Sequence, residues 1–214
     1  MLTLAQIKSA ITLNLLSDTD FFDPAGFNQA VNMCVRELSE ATLQYEVTNI
    51  QTTVVGQYQY ALPADCIVVK EVLYDNARLN PESIDAIAAL YAPEIPPETT
   101  MGFPTMYSKY SLNQIWMYAT PNDAKDLKII YAAYVPDLVN DTDTTPFPAR
   151  ADQYIINRIT AQKHLLDGNM ETYYAYKKVY EEDMDHVKRA TRPVPSVAST
   201  DRSFEFPTQS MWRA

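Results

Sequence analysis

The spacing of apolar residues changes twice along this chain, and the order of these changes limits the folds open to it. Up to about residue 46 apolar residues recur at helical intervals, from Thr48 they alternate with polar residues, and from Ala149 the helical interval returns. This order predicts an α+β fold, in which N- and C-terminal helix pairs form a helical bundle with an inserted antiparallel β domain. We therefore divide the chain into N-terminal helices of the bundle (1–46), an inserted β-rich domain (47–147), a C-terminal helical hairpin (148–190) and an extended partner-binding tail (191–214).

Local signals predict where the four helices begin and end. Thr3 and Gln6 have the spacing of a capping box, and Asp23-Pro24 combines a cap with proline at the first helical position. Asp167-Gly168 is typical of a helix stop, and Asn169 can cap the helix that follows. The two C-terminal helices are therefore expected over 149–166 and 170–189.

Alternation in the middle of the chain predicts strands. The segments on either side of Gly56 alternate, which favours a β-hairpin that turns at this glycine. A β-branched strand is expected next, with Asp75-Asn76 as its turn, and Pro81-Glu82-Ser83 opens a short helix. The strands that follow the turn at Gly56 are therefore expected over 67–74, 106–110, 115–119 and 127–135.

The charge of the chain bears on the class of partner. The formal net charge is −10, yet residues 188–214 carry five basic and two acidic side chains, a net charge of +3. An acidic body disfavours tight binding of nucleic acid, which needs clustered Lys and Arg, but it would let DNA pass without sticking. No apolar run is long enough for a membrane span, and the first residues lack the features of a signal peptide. We therefore expect assembly in the cytoplasm and no membrane partner.

Residue types that usually carry chemistry are scarce and separated. The 4 glycines are isolated, which excludes a glycine-rich phosphate-binding loop of the common types. Two histidines, His164 and His186, lie on different predicted helices and could meet across a helical hairpin. Cys34 and Cys66 lack the spacing of a redox or zinc pair, so we interpret them as core thiols. The sequence thus predicts no enzyme, no cofactor and no catalytic residue.

Two acidic segments leave alternatives open. Asp141-Thr142-Asp143 has the alternating carboxylates of a calcium loop, but Pro146 stands where that loop needs glycine, so a polar linker is favoured over a metal site. Glu181-Glu182-Asp183 with Asp185 forms an acidic cluster on the last helix. We interpret this cluster as a solvated face, or as one that lines a channel and repels phosphate.

Aromatic residues indicate contacts between proteins. Tyrosine is favoured at interfaces because it combines apolar area with a polar tip, and four tyrosines crowd the last helix as a candidate subunit interface: Tyr173, Tyr174, Tyr176 and Tyr180. The tail beyond residue 191 has no periodicity, yet it contains large apolar residues and arginines typical of anchors in a partner groove. These candidate docking residues are Arg202, Phe204, Phe206, Met211, Trp212 and Arg213. Packing of the tail on its own chain is the alternative.

Four segments appear in an order that resembles a known family. They are YALPAD (60–65), GFPTMY (102–107), IWMYATP (115–121) and IIYAAY (129–134), and the closing helical pair follows them. This succession resembles the head-to-tail adaptor (connector) proteins of tailed bacteriophages, particularly the tail tubular protein A type. The resemblance implies a ring, commonly of twelve copies, that lies below the portal and surrounds the DNA exit channel. It implies no catalytic residue.

The resemblance leads to a specific expectation for function. We expect a structural virion protein of the neck, assembled in the host cytoplasm, that binds the portal protein through its tail and then a downstream tail or nozzle protein. DNA would pass through the ring without specific binding. The alternatives are another tail-completion or capsid-associated ring protein, or a cell-wall hydrolase that uses a pair of carboxylates.

Overall fold

A computed structural model describes residues 1–15, 24–91 and 100–191 of the chain. Its helices are α1 (Leu4–Asn14), α2 (Pro24–Thr42), α3 (Ile84–Leu90), α4 (Ala149–Leu166) and α5 (Met170–Thr191). Its strands are β1 (Glu46–Thr52), β2 (Gln59–Ala61), β3 (Cys66–Tyr74), β4 (Ala77–Arg78), β5 (Asn80–Pro81), β6 (Met101–Gly102), β7 (Met106–Ser111), β8 (Gln114–Tyr118), β9 (Thr120–Pro121) and β10 (Asp126–Ala133). The predicted α+β fold is confirmed, with helices on both sides of a largely antiparallel β region in the sequence.

Three of the predicted local signals for helix ends are confirmed, whereas the cap at Asp23 lies outside the described residues. The Thr3 hydroxyl accepts a hydrogen bond from the Gln6 backbone N–H, and the Gln6 side chain accepts one from the Thr3 backbone N–H. α4 ends before Gly168, whose φ of +74° lies in the left-handed region that favours glycine. The Asn169 side chain then accepts a hydrogen bond from the N–H of Thr172, at the start of α5.

Because the capping box at Thr3 serves two backbone N–H groups, its loss should lower stability measurably. We expect Thr3→Ala to lower the free energy of unfolding by about 1 kcal/mol and the melting temperature by about 2–4 °C. Thermal unfolding followed by circular dichroism measures both. Ser9→Ala removes a hydroxyl of α1 that only bonds the carbonyl one turn back, and it should leave the melting temperature within about 1 °C. An equal loss in both variants would contradict the role of the cap.

The four long helices bury one apolar core. α1 contributes its buried face through Leu4, Ile7 and Ile11, as the helical spacing predicts. The core also contains residues of α2, α4, α5 and the segment that leads into α4, with Val31, Cys34, Val35, Leu38, Val135, Leu138, Phe147, Ala151, Tyr154, Ile155, Ile156, Ile159 and Val187. α4 is the central helix because it contacts α1, α2 and α5.

Besides the two-stranded sheet β6-β9, the β region has two four-stranded sheets, in the orders β1-β10-β3-β4 and β2-β8-β7-β5. They enclose a second apolar core that includes Val72, Tyr74, Ile115, Met117 and Ile129. The turn after β3 was predicted at Asp75-Asn76, and both residues have positive φ, as a tight two-residue hairpin requires.

The predicted hairpin about Gly56 is wrong. The chain does turn there, with a φ of +81° at Gly56, but β1 pairs with β10 and β2 pairs with β8 in the other sheet. The physical reason is that β10 offers β1 an unbroken antiparallel register of seven residue pairs. Alternation reveals that a strand has two different faces, but it does not reveal which strand lies beside it.

The bundle and the β region are joined by side-chain contacts as well as by the chain. The segment after β10 runs along α2, where Asn32 exchanges two hydrogen bonds with the backbone of Leu138. Tyr45 packs against both apolar cores. These contacts fix the β region on one side of the bundle.

Candidate interaction surfaces

The junction between the bundle and the β region is strongly polar. An Arg36 nitrogen donates to both carboxylate oxygens of Asp137 at 2.9 Å, and the Tyr134 hydroxyl donates to Glu40 at 2.6 Å. That hydrogen bond raises the pKa of Tyr134. An open cavity of about 640 Å³ lies between these groups and Asp65. Arg36 is paired with Asp137, and tyrosine hydroxyls donate to the carboxylates of Glu40 and Asp65. The cavity is therefore better suited to holding two parts of the chain together than to binding a small ligand.

The four tyrosines of α5 do not share one environment. Tyr180 packs on the bundle, with its ring edge-on to Tyr154 at 6.1 Å and with Arg158 5.3 Å from its centroid. Tyr176 stacks on His164 of α4 at 5.6 Å. Tyr173 and Tyr174 lie 5.2 Å apart, and Tyr174 is 58% exposed. Two of the four thus already serve contacts within the chain, while Tyr174 faces solvent.

An apolar patch surrounds the turn between α4 and α5. Leu165, Leu166, Met170 and Tyr174 are all exposed there, and Leu166 reaches 60%. We call these four residues the hairpin-tip patch. Of these four residues only Tyr174 was predicted from the sequence to lie at an interface, although the apolar residues that flank the helix stop Asp167-Gly168 are visible there. Exposed apolar residues clustered at one turn are typical of a protein–protein contact.

The tail residues proposed for docking, from Arg202 to Arg213, lie outside the described residues. Their role therefore stays a prediction from sequence.

The acidic cluster of α5 was misread at its central residue. Asp183 is only 2% exposed. Its carboxylate accepts hydrogen bonds from the Arg150 guanidinium at 2.8 Å and from the Asn157 amide at 2.9 Å, both on α4. The interpretation as a solvated or channel-lining face fails for Asp183, because this carboxylate pins α5 to α4. Its neighbours Glu181, Glu182 and Asp185 are exposed.

The acidic residues and histidines that were metal or catalytic candidates in the sequence have other partners. Asp141 pairs with Lys8 at 2.9 Å, and the backbone N–H groups of Asn140 and Val139 bind Asp143 and lower its pKa. His164 stacks on Tyr176, and His186 lies ten residues further along α5, about 15 Å of helical rise away. Burial raises the pKa of the Cys34 thiol to about 12, as expected of a core thiol.

The described residues lack two further features, a cluster of metal ligands and a membrane-spanning helix. Within them, no group of three or more His, Cys, Asp or Glu side chains could hold a metal ion. No helix among the described segments is long and apolar enough to cross a membrane.

Comparison with known families identifies the class of protein. The SU10 adaptor protein family matches residues 2–201 of the chain, which includes both helix pairs and the whole β region. The chain belongs to the SU10 adaptor protein family. This is a family of phage head–tail adaptors, so the resemblance drawn from the four sequence segments is confirmed at that level. No curated protein matches the chain.

Membership of the SU10 adaptor family makes surfaces that could contact other proteins the features of interest. A bacteriophage structural adaptor works through the surfaces that it offers to other proteins. The hairpin-tip patch, which includes Tyr174, is a candidate for such a surface. So is the stretch 47–64, which contains no charged residue in a chain with 21% charged residues. Exposed apolar side chains occur along it at Ile50, Val54 and Val55.

Proposed function

We propose that this SU10-family adaptor forms a ring that joins the portal of the capsid to the tail and surrounds the DNA channel. The single observation that carries this proposal is the family match over residues 2–201, which spans nearly the whole chain. A ring of about twelve copies, with the role of the tail tubular protein A type, is the form that the sequence resemblance favours. The chain would then be located in the virion neck and would assemble in the host cytoplasm.

The portal protein and the downstream tail protein would bind different parts of the chain. The tail from residue 192 would bind the portal protein, because it combines a basic net charge with Phe204, Phe206, Met211 and Trp212. Arg202 and Arg213 would meet carboxylates or backbone carbonyls of the portal. The β region, held rigidly on the bundle by the junction at Arg36 and Tyr134, would face the downstream tail or nozzle protein.

Contacts between neighbours in the ring would use the last helix. The predicted interface of Tyr173, Tyr174, Tyr176 and Tyr180 remains part of this proposal, with Tyr174 and the hairpin-tip patch as the portion that is free to reach a neighbour. Tyr176 and Tyr180 would act indirectly, because they hold α5 against α4. The apolar patch would pack on a different surface of the next copy, as a head-to-tail contact in a ring requires.

The acidity of the body suits a channel that DNA crosses without binding. Residues 1–107 alone have a net charge of −9, and a wall of this sign repels phosphate. We propose no catalytic step and no cofactor for this protein. The DNA would meet only a repulsive surface, and the chain would bind only its protein partners.

The ring is tested by mixing the purified protein with purified portal and imaging the complexes by electron microscopy. We expect portal particles to gain a ring of about twelve adaptor copies on the face towards the tail. A chain that ignores the portal but binds an assembled tail would instead be a tail-completion protein, and the proposal would be wrong. Native mass spectrometry of the same mixtures counts the copies.

A charge placed in the hairpin-tip patch should prevent the ring from closing. We expect Leu166→Glu with Tyr174→Glu to leave fewer than about one tenth of the portal particles with complete rings, because each contact between neighbours would then bury two unpaired carboxylates. Val139→Glu is the matched control, since Val139 is exposed but lies in the segment before α4, away from the hairpin tip. If the double variant still forms complete rings, the last helix is not part of the interface between neighbours.

A further inference from the structure

The long edge of the first sheet is unprotected. β1 lies at the end of the order β1-β10-β3-β4, and within the described residues it pairs with β10 alone. Its register with β10 has no bulge, and β1 has no proline and no lysine. Proteins normally block a long edge strand with such devices, because its free backbone groups can pair with another chain.

The alternation of hydrogen bonds along β1 shows which of its backbone N–H and C=O groups are not bound to β10. The Tyr45 carbonyl accepts a hydrogen bond from Ala133, and the Thr53 N–H donates to Lys125, both towards the β10 side. In an antiparallel pair such bonds recur at every second residue. The backbone groups of Glu46, Thr48, Ile50 and Thr52 therefore point away from β10, towards the free edge.

The same four side chains lie on the exposed face of the sheet. The exposure of β1 alternates with residue number, and Ile50 is 62% exposed. The other sheet edges offer less. β4 and β5 have two residues each, and the three-residue β2 has its Ala61 carbonyl bound by the Gln51 side chain. β4 covers only the last two residues of β3 and leaves the rest of that edge open, but β3 contains a lysine and two register shifts. β1 is thus the longest regular free edge without such protection in the described sheets.

The β1 edge lies in a part of the chain where side-chain charge does not oppose the approach of a second copy. The whole chain has a net charge of −10, so two copies repel each other over most of their surface. Residues 47–64 have no charged side chain, and this stretch begins within β1 and continues into β2. Here two copies can meet without bringing like charges together.

β1 is also complementary to itself. When two copies of β1 are aligned antiparallel about Asn49, Glu46 lies opposite Thr52 and Thr48 lies opposite Ile50. Each residue with outward-facing backbone groups then meets another such residue, as an antiparallel ladder requires. Glu46 meets a threonine rather than a second glutamate, and the branched side chains of Thr48 and Ile50 form favourable cross-strand pairs.

We propose that two copies of the free protein pair through β1, antiparallel about Asn49, and so join their first sheets into one continuous sheet. The contact is two-fold and closes on itself, so it gives a dimer and does not generate a ring. It belongs to the protein before it meets its partners in the virion. It does not rest on the ring function proposed above.

The dimer is tested with the full chain by sedimentation equilibrium over a range of concentrations. We expect a mass that rises with concentration towards twice that of one chain. Thr48→Pro removes only an outward N–H, so it should leave the β1–β10 ladder intact and weaken dimerisation at least tenfold, as should Ile50→Lys. Val179→Lys puts the same charge on an exposed apolar site of α5 and should dimerise like the unchanged chain.

A crosslink tests the register even if those variants fold poorly. In the proposed pairing the two copies of Asn49 face each other about 4.5 Å apart between Cα atoms, which suits a disulfide. Asn49→Cys in a Cys66→Ser background should therefore form a covalent dimer under mild oxidation. Gln51→Cys lies on the same face, but its two copies would be about 14 Å apart, so it should stay uncrosslinked.

These measurements have outcomes that overturn the proposal. The proposed β1 dimer is wrong if the chain stays monomeric at the highest concentration. It is also wrong if a folded Thr48→Pro variant dimerises like the unchanged chain. Equal crosslinking of Asn49→Cys and Gln51→Cys would show that contact at this edge is random. A normal ring on the portal with no β1 dimer in solution would reject this inference and leave the proposed function standing.

Discussion

Removal of residues 192–214 is expected to abolish binding to the portal protein while the rest of the chain stays folded. Among the described residues, neither apolar core includes a residue beyond Val187. The melting temperature should therefore change by no more than about 2 °C. The removed segment contains all six predicted docking residues, among them Phe204 and Trp212. Binding is measured by surface plasmon resonance with immobilised portal.

Single substitutions in the full chain separate anchors from neighbours. Aromatic anchors often contribute 2 kcal/mol or more at an interface, so Trp212→Ala should weaken portal binding about 30-fold. Thr208→Ala lies in the same tail without being an anchor, and it should change affinity by less than about threefold. Arg202→Gln should act mainly through a slower, salt-dependent association rate, because steering by charge dominates at exposed positions.

The truncation experiment also decides whether the tail anchors the chain to the portal or packs on its own chain. If the truncated chain binds the portal with undiminished affinity, the tail is not the anchor and portal contact must come from the folded body. If truncation instead lowers the melting temperature by 5 °C or more, about the effect of 2 kcal/mol, the tail packs on its own chain. Loss of binding with an unchanged melting temperature supports the anchor alone.

Features set by residues close together in the sequence were predictable. The capping box at Thr3, the turn at Asp75-Asn76 and the stop at Gly168 each depend on the chemistry of a few neighbours, and each is confirmed. The bounds of α4 were predicted to the residue, because its apolar residues recur at helical intervals and a proline before it and a glycine after it mark its two ends.

Features set by distant partners were not predictable. β1 pairs with β10 about eighty residues away, and nothing in the alternation of β1 singles out that partner. Asp183 looks like one member of an exposed acidic run until Arg150 and Asn157 are placed beside it by the α4–α5 packing. The exposed tip at Leu166 likewise depends on what α4 and α5 leave uncovered. The sequence indicated where strands and helices lie, while packing decided which side chains remain for partners.

Asp183→Ala is expected to be among the most destabilising single changes on the last helix. The carboxylate joins α5 to α4 through Arg150 and Asn157, and it is almost fully buried. Its removal leaves the Asn157 amide without an acceptor in the interior, whereas Arg150, whose side chain is 58% exposed, can turn to water. An unsatisfied buried donor costs about 1–3 kcal/mol, and the lost hydrogen bond to a charged partner adds to this. We expect the free energy of unfolding to fall by about 3 kcal/mol.

The acidic cluster supplies its own control for that experiment. Asp185→Ala removes a carboxylate of the same helix that is exposed, and it should change the free energy of unfolding by less than about 0.5 kcal/mol. Asp183→Asn keeps an acceptor oxygen but loses the charge, so its effect should lie between the two. Urea unfolding followed by circular dichroism gives all three values. Equal losses at positions 183 and 185 would mean that Asp183 acts as part of a charged surface rather than as the pin between α4 and α5.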